Sequence, residues 1–158
     1  MKWALYALAC AVSCPALAAT QANIGTLTCT LAESGEEAEA PPSQQRDMVC
    51  SFKPVGAGAE EMYSGQIKKV GTRSELDGKL VLIWVVMGPD EREMKPGLLE
   101  QSYIGELSAS ADGKAQAPKM LVGSKDSSYG LRPMTDDNSE SPTGNVTVVE
   151  LKVRSVPT

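Results

Sequence analysis

The chain has no histidine among its 158 residues, and aromatic side chains make up only 4% of it, with a single phenylalanine. Without histidine the commonest general base is missing, and so are the usual Ser-His and Cys-His nucleophile pairs. Catalysis would fall to carboxylates, lysine or tyrosine. A zinc site would likewise have to complete its ligand set with carboxylates, and the residues imply no metal and no cofactor. Clustered positive charge is scarce: Lys68-Lys69 is the nearest approach to a basic cluster, which argues against nucleic acid as a partner. No apolar run approaches the ~20 residues of a membrane helix, so no transmembrane segment is expected.

What is present begins with a leader. Residues 1–19 read as a secretory signal: Lys2, an apolar stretch from Trp3 to Val12, a break at Ser13-Cys14-Pro15, and small residues at Ala16-Leu17-Ala18 before the cut. The expected product is periplasmic or secreted. Ala11-Val12-Ser13-Cys14 distantly resembles the lipobox of bacterial lipoproteins, with Ala11 where leucine normally stands, so a lipid anchor on Cys14 is the lesser alternative. Removing the leader takes away Lys2 and no acid, leaving 14 basic against 20 acidic residues, a net charge of −6. Residues 20–158 then suit a single domain with a real hydrophobic core. Only Cys29 and Cys50 remain, an even number in an oxidising compartment, and a disulfide between them would contribute roughly 3 kcal/mol by closing its loop.

Alternation dominates the periodicity, and helical spacing is scarce. Leu27, Cys29 and Leu31 fall on one face of a first strand and Thr26, Thr28 and Thr30 on the other; Met48, Cys50 and Phe52 share a face of a second. Further strands are read at Tyr63 to Ile67, Leu80 to Met87, Tyr103 to Ala109, Met120 to Gly123, Tyr129 with Leu131, and Thr147 to Val153. The run from Leu80 to Met87 is the most apolar of these, and both its faces should be covered. Asp77-Gly78 is the clearest hairpin signal. The exception is Asp90 to Leu99, where Asp90 and Glu93 form a capping-box pair and Pro96 a stop, predicting one short helical turn near 90–99. The expectation is an all-β, single antiparallel domain of about eight strands, a small barrel with a two-sheet sandwich as the alternative. Tyr63-x-Gly65-x-Ile67 and Tyr103-x-Gly105-x-Leu107 echo one another. They read either as a duplicated hairpin or, preferably, as glycines placed at bends in a barrel.

Few residues suggest chemistry. Ser124-Lys125-Asp126-Ser127-Ser128 places a serine beside a lysine, but these residue types also favour a plain reverse turn, and the chain is read as a non-enzyme. Asp136-Asp137-Asn138-Ser139-Glu140 clusters hard oxygen donors without the glycine and distal glutamate of the helix-loop-helix calcium motif, and reads as a solvated loop. The acidic loop 33–39, with Glu33, Glu36, Glu37 and Glu39, reads as a solvated excursion that would face a basic partner if it faced any. Phe52, Tyr63, Trp84 and Tyr103 are core aromatics in a filled barrel and pocket walls in a hollow one.

Several patterns in a fixed order carry a family resemblance: Gly25-x-Leu27-x-Cys29, Arg46 ahead of Cys50-x-Phe52-x-Pro54, Tyr63-x-Gly65-x-Ile67, Leu82-x-Trp84, Pro96-Gly97, Tyr103-x-Gly105, Leu121-Val122-Gly123, Leu131-x-Pro133 and Gly144-Asn145-Val146. In this order they resemble the bacterial family catalogued as domain of unknown function 992. The resemblance implies a small exported domain with paired cysteines and supplies no catalytic residue. The chain departs from the family pattern at Gln101 and Ser124, where glycine is usual, and in its longer acidic insert. Two functions are expected from compartment, charge and architecture. The first is a non-enzymatic domain binding a small apolar ligand or an envelope protein. The alternative is an inhibitor of a cell-wall hydrolase such as lysozyme, whose basic surface would suit an acidic chain.

Overall fold

The computed structural model describes residues 21–31, 46–70, 81–89, 94–109, 115–116, 118–134 and 148–156. Ten strands occur among them: β1 (Gln21–Leu31), β2 (Arg46–Pro54), β3 (Glu61–Val70), β4 (Val81–Pro89), β5 (Ser102–Ile104), β6 (Ser108–Ala109), β7 (Ala115–Gln116), β8 (Leu121–Gly123), β9 (Gly130–Pro133) and β10 (Val148–Ser155). Eight of them close into an antiparallel barrel in the order β1-β2-β3-β10-β5-β8-β9-β4. The barrel expectation holds, and the sandwich does not.

The order has an internal logic. β1, β2 and β3 are successive neighbours, and β4 returns to pair with the free side of β1. β5, β8 and β9 repeat that arrangement, and β10 returns to β5. Each half is therefore a Greek key, and the halves join through β3–β10 and β4–β9. This topological repeat equates β1 with β5, whereas the Tyr-x-Gly echo equates β3 with β5. The motif thus does not follow the repeat and has local causes. At Gly65, a Cβ would lie 2.7 Å from Cys50 Sγ.

Alternation places the core where the pattern predicts. Leu27, Cys29, Leu31, Met48, Cys50 and Phe52 are buried, while Thr26, Thr28 and Thr30 face outward. Around the inside they form tiers: Phe52, Leu27 and Trp84 are successive cross-strand partners, and the next tier runs Tyr63, Cys50, Cys29, Leu82. Cys29 and Cys50 sit directly opposite one another in the β1–β2 ladder and form the expected disulfide, with Cα atoms 4.0 Å apart. A bulge between Asn23 and Gly25 lets both Ile24 and Gly25 turn inward, with Asn23 Oδ1 accepting the Gly25 N–H at 3.0 Å. In β4, Leu82, Trp84 and Val86 point inward and are buried; on the outward face Val85 is covered by its neighbours at 8% exposure, but Val81 is exposed and Ile83 and Met87 are half-buried, so the second face is covered only in part, against the expectation.

Three further expectations need correction or limits. The helical turn near 90–99 is not helix in its described part: Lys95 O accepts from Leu98 N and Gly97 O from Glu100 N, two overlapping turns. Gly97 takes φ +77°, the left-handed geometry that a turn with Pro96 before it requires and a helix excludes. Asp90 and Glu93 lie outside the described residues. The strand read from Tyr103 to Ala109 breaks at Gly105, which is pressed against Pro118 and Leu121; β6 leaves the barrel to pair with β7. Finally, β3 and β4 are not neighbours, so no β3–β4 hairpin exists, and Asp77-Gly78 lies outside the described residues.

Candidate functional site

The four aromatics singled out from sequence all lie inside the barrel: Phe52, Tyr63, Trp84 and Tyr103 are each at most 2% exposed. They meet Leu27, Leu82, Leu121, Leu131 and Leu151 in one cluster. Interiors of eight-stranded barrels are just wide enough to be filled by side chains, and this one is filled. One end is closed by the segment that follows the Pro96-Gly97 turn, where Leu99 is completely buried.

Tyrosine hydroxyls gather near that plug. Tyr63 donates to Glu61, whose Oε2 also accepts the Gly97 N–H at 3.3 Å, and Tyr103 Oη donates to Leu99 O at 3.2 Å. Burial, reinforced by the Glu61 carboxylate, pushes the Tyr63 phenol far above its ordinary range; burial pushes Tyr103 up to about 12. Both therefore remain neutral donors. Tyr129 Oη is buried beside them without a hydrogen-bond partner.

The Ser124–Ser128 segment is a turn between β8 and β9, held by one residue that the catalytic reading did not consider. Gln101, the one buried polar side chain among the described residues, has its Oε1 accepting both Lys125 N–H (3.0 Å) and Asp126 N–H (2.9 Å). Asp126 Oδ1 in turn accepts the Ser128 N–H at 2.9 Å, a local turn of the kind aspartate favours. Ser124 and Lys125 are exposed. Gln101 stood out in sequence only as a departure from glycine in the family pattern. A glutamine's capacity to satisfy two backbone donors becomes visible once β5 and the turn are brought together.

The acidic loop 33–39, the cluster 136–140 and Cys14 lie outside the described residues. Among the described residues no group of three potential metal ligands occurs, and no helix is long and apolar enough to cross a membrane.

The barrel's outside offers two features. On the face formed by β2, β1 and β4, the outward side chains Val49, Thr30 and Val81 are in register, and Ser51, Thr28 and Ile83 form the next row. None of these six positions is itself a charged residue, but the Glu60 carboxylate reaches in to accept from the Ser51 hydroxyl. A third row runs Lys53, Thr26, Val85, Arg132 and sets cations at both ends. Val49 is 55% exposed, a high value for valine. The second feature is a recess of about 100 Å³ on β2, β3 and β10, lined by Asp47, Met48, Ser64, Gly65, Gln66, Lys152 and Arg154. Gln66 Nε2 donates to Asp47 Oδ1 at 2.7 Å across its wall. Near its edge Glu100 accepts from the Ser155 hydroxyl, which holds that carboxyl below its usual range.

A closed eight-stranded barrel of two Greek keys, packed solid and clamped by one internal disulfide, defines the class. The chain belongs to the DUF992 family of proteins of unknown function, whose model matches residues 7–154. No curated protein and no solved structure matches it.

Proposed function

We propose that the protein is a non-enzymatic binding domain of the cell envelope, exported by its leader, that engages an envelope protein through the outside of the barrel. The observation that carries this reading is the packed interior. The aromatics that would line an apolar pocket pack against one another and against Leu99, so the small-ligand alternative has the weaker support. The β2-β1-β4 face, apolar at Val49, Val81 and Ile83 and bordered by Lys53 and Arg132, with the Glu60 carboxylate reaching Ser51 on the β2 side, suits a partner with an apolar centre and a polar rim that is acidic opposite Lys53 and Arg132. The internal disulfide is compatible with an oxidising compartment. The role of Ser124 and Lys125 in a Gln101-pinned turn favours the non-enzymatic reading.

Photo-crosslinking from Val49 in the producing cell tests the proposal. A discrete protein adduct, lost on Val81→Asp and still bound by the purified barrel in isolation, is the expected result. A small molecule co-purifying in the native mass spectrum, with no adduct from Val49, would move the site to the lumen. The inhibitor reading rests on the net charge of −6 and predicts slowed lysozyme turnover in excess protein; unchanged turnover removes it.

A further inference from the structure

We propose that the recess between β2, β3 and β10 is an anion site that receives a single phosphate group. Lys152 and Arg154 stand two residues apart on the outward face of β10, about 6.6 Å apart along the strand. They face Gln66 and Ser64 respectively in the β3 ladder. Two cations side by side on one strand face repel one another, a repulsion that Asp47 in the recess and Glu150, two residues before Lys152 on the same face of β10, offset in part and that a bound anion would relieve further. Among the described residues, Lys152 makes no ion pair. Arg154 lends its charge to exposed Glu100 at the far edge, and the carboxylate inside the recess, Asp47, already accepts from Gln66.

The donors fit a tetrahedral oxyanion. A guanidinium fork, an ammonium and the Ser64 hydroxyl supply hydrogen bonds from three directions, and charge-assisted bonds of this kind are about twice as strong as neutral ones. The floor is backbone and the Met48 flank, because Gly65 has no side chain and outward Ser64 is short. At about 100 Å³ the recess lies well below the ~300 Å³ of a pocket that swallows a whole small molecule, so it grips one group and leaves the rest of its bearer outside. The phosphate belongs either to a lipid headgroup or to free phosphate. The site does not depend on the protein partner proposed above, because it uses neither Lys53, Arg132 nor the β1–β4 face.

Amide spectra of the isotopically labelled protein, titrated with inorganic phosphate at low ionic strength against a chloride control, test the site. Saturable shifts centred on Ser64, Gln66, Lys152 and Arg154 are expected. The double variant Lys152→Gln/Arg154→Gln should bind phosphate roughly tenfold or more weakly. Asp47→Asn should bind it more tightly, because it removes the opposing charge. Both variants alter outward side chains, so their unchanged spectra elsewhere certify the fold. Co-sedimentation with phosphatidylglycerol vesicles that is abolished in the double variant assigns the headgroup as the source; phosphate shifts without vesicle binding assign free phosphate. Shifts that are linear and scattered over the surface, or a double variant that binds phosphate as the parent does, would overturn the proposal.

Discussion

At the residue scale, the buried tyrosines show how much a single hydroxyl depends on what it meets. Tyr103 donates a hydrogen bond to Leu99 O, whereas Tyr129 Oη, also buried, has no partner. An unpartnered buried hydroxyl costs desolvation and returns nothing, so Tyr129→Phe should leave the melting temperature unchanged or raise it. A fall of several degrees would refute that account. Tyr103 also predicts an alkaline limit. Its folded pKa lies above the unfolded value of about 10, so its contribution is complete below pH 10 and is lost as pH rises towards about 12. The loss reaches roughly 3 kcal/mol, and tyrosinate absorbance should appear together with loss of the far-ultraviolet barrel signal. Ionisation of Tyr63 and Tyr103 at about pH 10 without unfolding would contradict it. The alternation of Leu27, Cys29 and Leu31 told from sequence which side chains face inward. It could not tell that Gln101 would be buried, since a lone glutamine before a strand carries no periodic signal.

At the scale of elements, pairing explains what spacing left open. Two alternating runs with one cysteine each predicted a clamped pair, and the ladder brings Cys29 opposite Cys50 within the tier of Tyr63 and Leu82. Because β1 is also held along its other edge by β4, the disulfide reinforces an existing ladder. Replacing both cysteines by serine should therefore keep the barrel and lower its stability by roughly 3 kcal/mol, read as a lower urea midpoint with a steeper slope, since the unlinked denatured chain exposes more surface. Collapse of the barrel signal would show that the bond organises the fold instead. The short helix fails for a visible reason: Pro96 reads as a helix stop, but Gly97 at positive φ makes Pro96-Gly97 the centre of a turn, beyond which Leu99 is completely buried. The broken fifth strand has a comparable cause in the packing of Gly105 against Pro118, a contact made across the fold.

At the scale of the whole molecule, the two Greek keys make most contacts non-local, because β4 must return to β1 and β10 must lie between β3 and β5. Such closure requires long loops to be ordered before their contacts form, so the barrel should fold on the millisecond-to-second scale; microsecond refolding in stopped-flow fluorescence of Trp84 would contradict this. The same closure separates the two levels of information. The sequence by itself determined the presence of the eight barrel strands, their inward faces, the cysteine pair and the family, because these depend on local alternation and on residues read in order. Only the tertiary structure decided that the barrel is filled, that Gln101 ties down the turn beside it, and that Asp47, Ser64, Lys152 and Arg154 share one recess. Those facts depend on which strands become neighbours, and the ring order is set by burial across the whole barrel, which no local pattern encodes.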